Sequence, residues 1–234
     1  MLNVKLISHT PEPDRLVAAA ARLCYSAVGI EAILEKLDRE KMANLIGRLR
    51  ESGHASPIEH ASFSFGIEGV SRALTHQLVR HRIASYSQQS QRYVKLERFE
   101  AIVPPKVAEN PEAQKIFDAA VEQIRAAYRE LLAMGIAGED ARFLLPNACE
   151  SKIIVTMNAR SLMNFLEIRT CVRAQWEVRA LALAMREELR KVAPLLFAVS
   201  GPSCETLGYC REGKLGCGRA PALADLIAGH NKSK

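Results

Sequence analysis

The residues best equipped for chemistry lie between Arg80 and Tyr93, in the stretch RHRIASYSQQSQRY. Arg80, His81 and Arg82 are consecutive, and Arg92 follows a run that includes Ser85, Ser87, Gln88, Gln89 and Ser90. An arginine fork meets two phosphate oxygens at once, while the amides and hydroxyls add neutral donors and acceptors. A nucleotide phosphate suits that mixture. A solvated basic loop has the same composition, and Tyr86 and Tyr93 would also let the stretch hold phosphates and bases of a nucleic acid. A second polar group is Asn158, Arg160 and Asn164. Arg160 and Asn164 are spaced to share one face of a predicted helix, and Asn158 stands where it would cap that helix. A third group, Cys204, Cys210 and Cys217, crowds the tail among Gly208, Gly213 and Gly216.

These groups need a frame, and 234 residues are enough to bury a sizeable core. With 48% hydrophobic and 25% charged residues, the composition excludes a wholly disordered or low-complexity chain. The formal net charge of +6 invites an anionic partner without choosing one. No apolar run approaches the ~18 residues of a membrane span. MLNVKLISHT lacks the basic and long apolar regions of a secretory signal, so a cytoplasmic setting is expected. Six cysteines are too sparse for a disulfide scaffold. Neither GxGxxG nor GxxxxGK[ST] occurs, which leaves no support for a Rossmann unit or a P-loop.

Periodicity predicts a strand over Leu2 to Ile7 and a helix over Val17 to Leu23. Ile33, Leu37, Met42, Leu45, Ile46 and Leu49 predict one helix from Ile30 to Leu49, closed by Gly53. Ala61, Phe63, Phe65 and Ile67 alternate as in a strand. Val70, Leu74 and Leu78 predict a helix after Gly69. Arg80 to Tyr93 reads as a loop or broken helix, because it has little apolar periodicity. Helices are predicted over Ala113 to Met134, Ala137 to Leu145, Asn158 to Leu166 and Ala174 to Val192, with a strand through Ile153, Val155 and Met157. Trp176, Leu181, Met185, Leu189 and Val192 are expected to face the core. The order of elements predicts a single α+β domain over residues 1–199 and a Gly- and Cys-rich tail over 200–234.

The loop also resembles the signature of the flavin-dependent thymidylate synthases: Arg-His-Arg, seven residues, then Ser, carried here by Arg80, His81, Arg82 and Ser90. The segment HASPIEH (54–60) is similar to the family's upstream flavin-contacting stretch, and NARSLMNFLEIR (158–169) with AQWE (174–177) to its downstream block. The likeness runs over roughly residues 1 to 199. It implies the family's own fold, with a mixed sheet, long helices and no Rossmann unit. It implies conversion of dUMP to dTMP, with methylenetetrahydrofolate as carbon donor and FAD reduced by NADPH. It implies a homotetramer with shared active sites, and no nucleic-acid or membrane partner. By this resemblance Gln77, Arg82, Ser90, Arg92 and Arg142 hold dUMP. Arg169 stands near the uracil, where a cation stabilises developing negative charge. Ser90 binds and orients rather than attacks. FAD is expected at His54, Ser56, Arg80, His81, Ile83, Gln88, Asn158, Arg160 and Asn164.

Ser87 and Gln88 depart from the family, which often carries Asn and Glu there; an amide keeps an acceptor but gives up the charge. The resemblance does not guide the tail. No metal is assigned, but Cys204, Cys210 and Cys217 are zinc candidates, with a fourth ligand from Cys149, Cys171, His230 or another subunit. Free thiols and a disulfide are the other readings, and on each the tail is accessory to the chemistry.

Overall fold

The computed structural model describes residues 1–232, and side chains through residue 227. Along the chain run β1 (Asn3–His9), α1 (Pro13–Leu23), α2 (Ile30–Glu35), α3 (Arg39–Ser52) and a short 3-10 turn at Ser56–His60. Next come β2 (Ser62–Ser71), α4 (Arg72–Leu78), β3 (Ser85–Gln88), α5 (Pro105–Ala108), α6 (Pro111–Ala133) and α7 (Gly138–Ala141). β4 (Glu150–Asn158), α8 (Ala159–Arg169), α9 (Trp176–Val192), α10 (Ser203–Thr206) and α11 (Leu223–Lys232) complete the order. The strands form one open sheet in the order β1-β2-β4-β3. The α+β architecture is as expected, but the sheet is antiparallel rather than mixed.

The chain divides into two compact units. Unit one comprises Met1–Val4 and Gly66–Val155; unit two comprises Lys5–Phe65 and the chain from Thr156 onward. In unit one Phe99, Val121 and Cys149 form a buried cluster against Phe117, Ile124 and Leu145. Asn110 caps α6 by accepting from the Glu112 and Ala113 amides, and Pro111 supplies a preset first turn. In unit two Leu162, Phe165, Leu166, Leu181, Met185 and Leu189 are fully buried, and Phe63 meets Phe197 edge to face at 5.6 Å. The Asp14 carboxylate accepts from the Leu195 and Leu196 amides, both at 3.0 Å, tying α1 to the chain beyond α9.

Several sequence expectations need correction. The single helix from Ile30 to Leu49 is two, because Asp38 leaves the helical conformation and caps α3 through the Lys41 amide at 2.8 Å. Val70 belongs to β2, and α4 begins only at Arg72, after the Ser71 cap. The Ala137–Leu145 segment is a one-turn helix followed by a 3-10 turn. The Arg80–Tyr93 stretch contains a strand, β3. Trp176 does not face the core: it opens α9 and is 40% exposed. Val192, at the other end of α9, is only half-buried. Residues 200–203, where the tail begins, are buried. Among the described residues no helix is long and apolar enough to cross a membrane.

Candidate functional site

In unit one the signature arginines follow directly from α4. The Ser71 hydroxyl accepts from the Leu74 amide and starts the helix; Leu74 and Leu78 are buried and anchor it. Gln77, on its last turn, is half-buried, while Arg80 and Arg82 are exposed just beyond. The turn that presents them is held by Tyr86. Its hydroxyl lies 2.8 Å from the Leu78 carbonyl and 2.7 Å from the His81 carbonyl, sharing one proton between them. Burial pushes the Tyr86 phenol up to about 12. Ile83 is 75% exposed, an apolar side chain offered to whatever covers it.

β3 then fixes the middle of the signature. Gln88 donates through Nε2 to Thr75 on α4 at 2.9 Å and to Ser151 on β4 at 3.1 Å. Both hydrogens of its amide are therefore spent within the fold. A carboxylate could only accept from those hydroxyls, so the Gln88 departure acquires a local reason. The Ser90 hydroxyl accepts from the Arg92 and Tyr93 amides at 3.1 and 3.3 Å, which shapes the turn after β3.

Two expected nucleotide arginines converge on one residue that the sequence did not single out. Arg92 Nε pairs with the Glu139 carboxylate at 2.5 Å, and Arg142 Nε donates to the Glu139 carbonyl oxygen at 3.0 Å. Gly138 admits the Arg92 backbone here, since a Cβ at that position would sit 3.3 Å from the Arg92 carbonyl oxygen.

In unit two the upstream and downstream stretches meet. Arg160 on α8 pairs with Glu59 of the HASPIEH segment, and the Ala159 amide donates to the Ala61 carbonyl at 2.8 Å. Asn158 caps α8 by accepting from the Ser161 amide at 2.8 Å, as its place in the sequence predicted. Asn164 is exposed one turn past Arg160, and Arg169 is half-buried in the last turn. His54 follows Gly53, whose φ of 68° closes α3, and the His54 amide donates to the Leu49 carbonyl at 3.0 Å. Ser56 is exposed in the next turn.

His54 also lines a cavity of about 250 Å³ with Arg22, Tyr25 and Arg48. Arg22, Tyr25 and Arg48 line a neighbouring cavity of about 490 Å³ as well, together with Lys36 and Lys41. Sequence reading missed this cationic hollow. Its charges come from α1, from the turn after α2 and, seven residues apart, from α3, so no local motif announces them. A third cavity in unit two, about 180 Å³, is lined by Cys171, Cys204, Cys210 and Cys217. Among the described residues no three His, Cys, Asp or Glu side chains are gathered closely enough to hold a metal as they stand. The His230 side chain, named as a possible ligand, lies outside the described residues.

Residues 5–195 match the family model described as thymidylate synthase complementing protein. The chain belongs to the flavin-dependent thymidylate synthase family. It is 52% identical to the flavin-dependent thymidylate synthase of Clostridium tetani over 96% of both chains. It is 51% identical to that of Geobacter sulfurreducens, over 97% of this chain and 98% of the relative. Among solved structures it is similar to a UMP/dUMP methylase, PolB from Streptomyces cacaoi, bound with 5-Br dUMP. That likeness has a TM-score of 0.73 and 26% identity, covering 85% of this chain and 93% of the other. Membership of the flavin-dependent thymidylate synthase family supports that enzymatic activity for this chain.

Proposed function

We propose that this protein reductively methylates dUMP to dTMP, taking the carbon from methylenetetrahydrofolate and the reducing equivalents from NADPH through FAD. The observation that carries the reading is the family match over residues 5–195, with Arg80, His81, Arg82 and Ser90 intact inside it. The solved relative's ligand, 5-Br dUMP, belongs to the same chemical class as the proposed substrate.

The donor sets fit their ligands. In unit one Arg92 and Arg142 each spend Nε on Glu139, which fixes the planes of their forks. Terminal guanidinium nitrogens of the kind both residues carry are the donors a phosphate dianion takes. Gln77 and Arg82 complete the nucleotide set, and Ser90 orients the substrate while its oxygen holds the turn. Serine without an activating base is a poor nucleophile, so no attack is assigned to it. Arg169 supplies positive charge to the pyrimidine carbonyl as the ring becomes nucleophilic.

In unit two the cationic hollow beside His54 suits an anionic dinucleotide, with Arg22 and Arg48 added to the cofactor set of His54, Ser56, Asn158, Arg160 and Asn164. By the family resemblance Arg80, His81, Ile83 and Gln88, carried by unit one, are further FAD-binding candidates, with Gln88 placing its strand through its own hydrogen bonds. Bound FAD supplies the hydride chemistry; the chain binds, orients and polarises. The working form is a homotetramer in which subunits share sites.

The test is a dTMP-formation assay with FAD, NADPH and methylenetetrahydrofolate, run beside light scattering at the same concentration. Flavin-dependent dTMP formation by a tetramer is expected. Absence of product, or product formed without flavin, overturns the reaction; full activity of a monomer overturns the shared sites.

A further inference from the structure

The cysteine-lined cavity of unit two is not used by the proposed chemistry, yet it gathers four of the six cysteines. Cys171 comes from the turn between α8 and α9, two residues past Arg169. Cys204 lies on α10, Cys210 on the bridge to Ala222, and Cys217 just after the 3-10 turn at Gly213–Leu215. All four side chains face one volume of about 180 Å³.

Two contacts fold the chain that carries Cys210 and Cys217 about this volume. An ideal Cβ on Gly216 would meet Cys210 Sγ at 3.1 Å, so the chain beside Cys217 presses against the Cys210 sulfur and only glycine admits it closely. The Cys210 amide donates to the Pro221 carbonyl at 2.8 Å, closing the loop that carries Cys217 back onto itself. Gly213 and Gly218 take positive φ of 55° and 83°, the left-handed turns needed to fold so short a loop around a centre. The six cysteines are free thiols, so no covalent bond accounts for the gathering.

We propose that Cys171, Cys204, Cys210 and Cys217 form a structural zinc site that clasps the C-terminal tail onto unit two. Four thiolates are the soft, tetrahedral donor set that zinc prefers, and a closed set with no open position marks a structural rather than catalytic ion. As free thiols the four side chains are spaced too widely for a metal shell. Binding pulls them inward, and the glycine turns provide the freedom to do so. A zinc tetrathiolate carries two net negative charges. Arg173, Arg211 and Arg219 line the same cavity and offset them. Arg211 is itself held by Glu167 at 2.7 Å, and Arg173 donates to the Leu215 carbonyl. The four protons leaving the thiols pass to solvent, so no oxidant or reductant is involved.

The experiment is metal analysis of the full-length protein, produced in zinc-supplemented medium and purified without chelator. One zinc per chain is expected, with X-ray absorption showing sulfur ligands alone at about 2.3 Å. Cys171→Ala and Cys210→Ala each lose the metal, whereas Cys24→Ala retains it. Should the variants fail to fold, the parent decides: a mercurial thiol reagent releases its zinc in step with the modification of four thiols. Zinc absent or substoichiometric, iron in its place, disulfides in the freshly purified protein, or zinc retained in a folded Cys171→Ala variant each overturns the proposal.

Discussion

Tyr86→Phe isolates the device that holds the signature arginines in place. The substitution removes one hydroxyl, partly buried, that lies 2.8 and 2.7 Å from two backbone carbonyls. The Leu78 carbonyl keeps the His81 amide as a partner at 3.1 Å, but the His81 carbonyl loses the hydroxyl. One such loss costs about 1–2 kcal/mol. Ionisation of the phenol gives a separate, pH-dependent measure. The folded phenol is pushed up to about 12, while the unfolded chain ionises near its ordinary 10. A raised pKa means that the fold favours the neutral phenol. Its contribution is therefore fully present below pH 10 and is lost as pH rises through 12. Two units convert at face value to about 2.7 kcal/mol, and discounting for the partly exposed ring brings this to about 1–2 kcal/mol. Urea unfolding of parent and variant, followed by circular dichroism, should show that gap at about pH 8 and its narrowing above about pH 10. Other tyrosines and lysines cancel in the difference. A gap below about 0.3 kcal/mol at neutral pH, or one unchanged across the alkaline range, refutes the reasoning.

Other substitutions test the proposed roles. Arg169→Ala should lower turnover at least about 100-fold with the circular dichroism spectrum intact, and a loss within twofold removes Arg169 from the chemistry. Ser90→Ala should raise the KM for dUMP yet keep measurable turnover, and a Ser90–nucleotide adduct in quenched reactions by mass spectrometry contradicts the orienting role. Glu139→Gln should shift stability by no more than about 1 kcal/mol, because its ion pair with Arg92 is half exposed. The same change should raise the KM for dUMP several-fold at unchanged kcat, and an unchanged KM would show that Arg92 is not aligned by Glu139.

Much of the frame is legible in the residues themselves. Phe63, Phe65 and Ile67 alternate because one face of β2 is buried, and all three are nearly inaccessible. Asn158 reads as a cap because its side chain needs only a local amide. β3 escaped notice because Ser85–Gln88 has no apolar face. What makes it a strand is the backbone of β4 and the Gln88 amide, both distant in sequence. The break before α3 was written in Asp38, but the apolar period continues across it and masked the cap. Trp176 misled through its bulk: it opens α9 and is 40% exposed. At the candidate site the signature residues were visible as a motif, whereas Glu139, Arg22 and Arg48 became visible only once their elements were in place. Each contributes one charge from a separate element, and spacing along the chain carries no trace of that.

The strand order has a consequence for synthesis. β4 lies between β2 and β3 but is the last of the four to be translated. Cross-strand hydrogen bonds join residues 52 apart between Thr10 and Ser62, 92 apart between Ser64 and Thr156, and 63 apart between Gln88 and Ser151. Pairings of such long range make folding slow, because loop closure must precede any reward. On the ribosome β2 would stand as an open edge until residues 150–158 had left the exit tunnel, and Phe63 would wait longer still for Phe197. At ~5–20 residues per second that exposure lasts several seconds, long enough for a nascent-chain chaperone to engage. The segment that completes the sheet thus also sets the moment at which β2 stops offering a free edge to other chains.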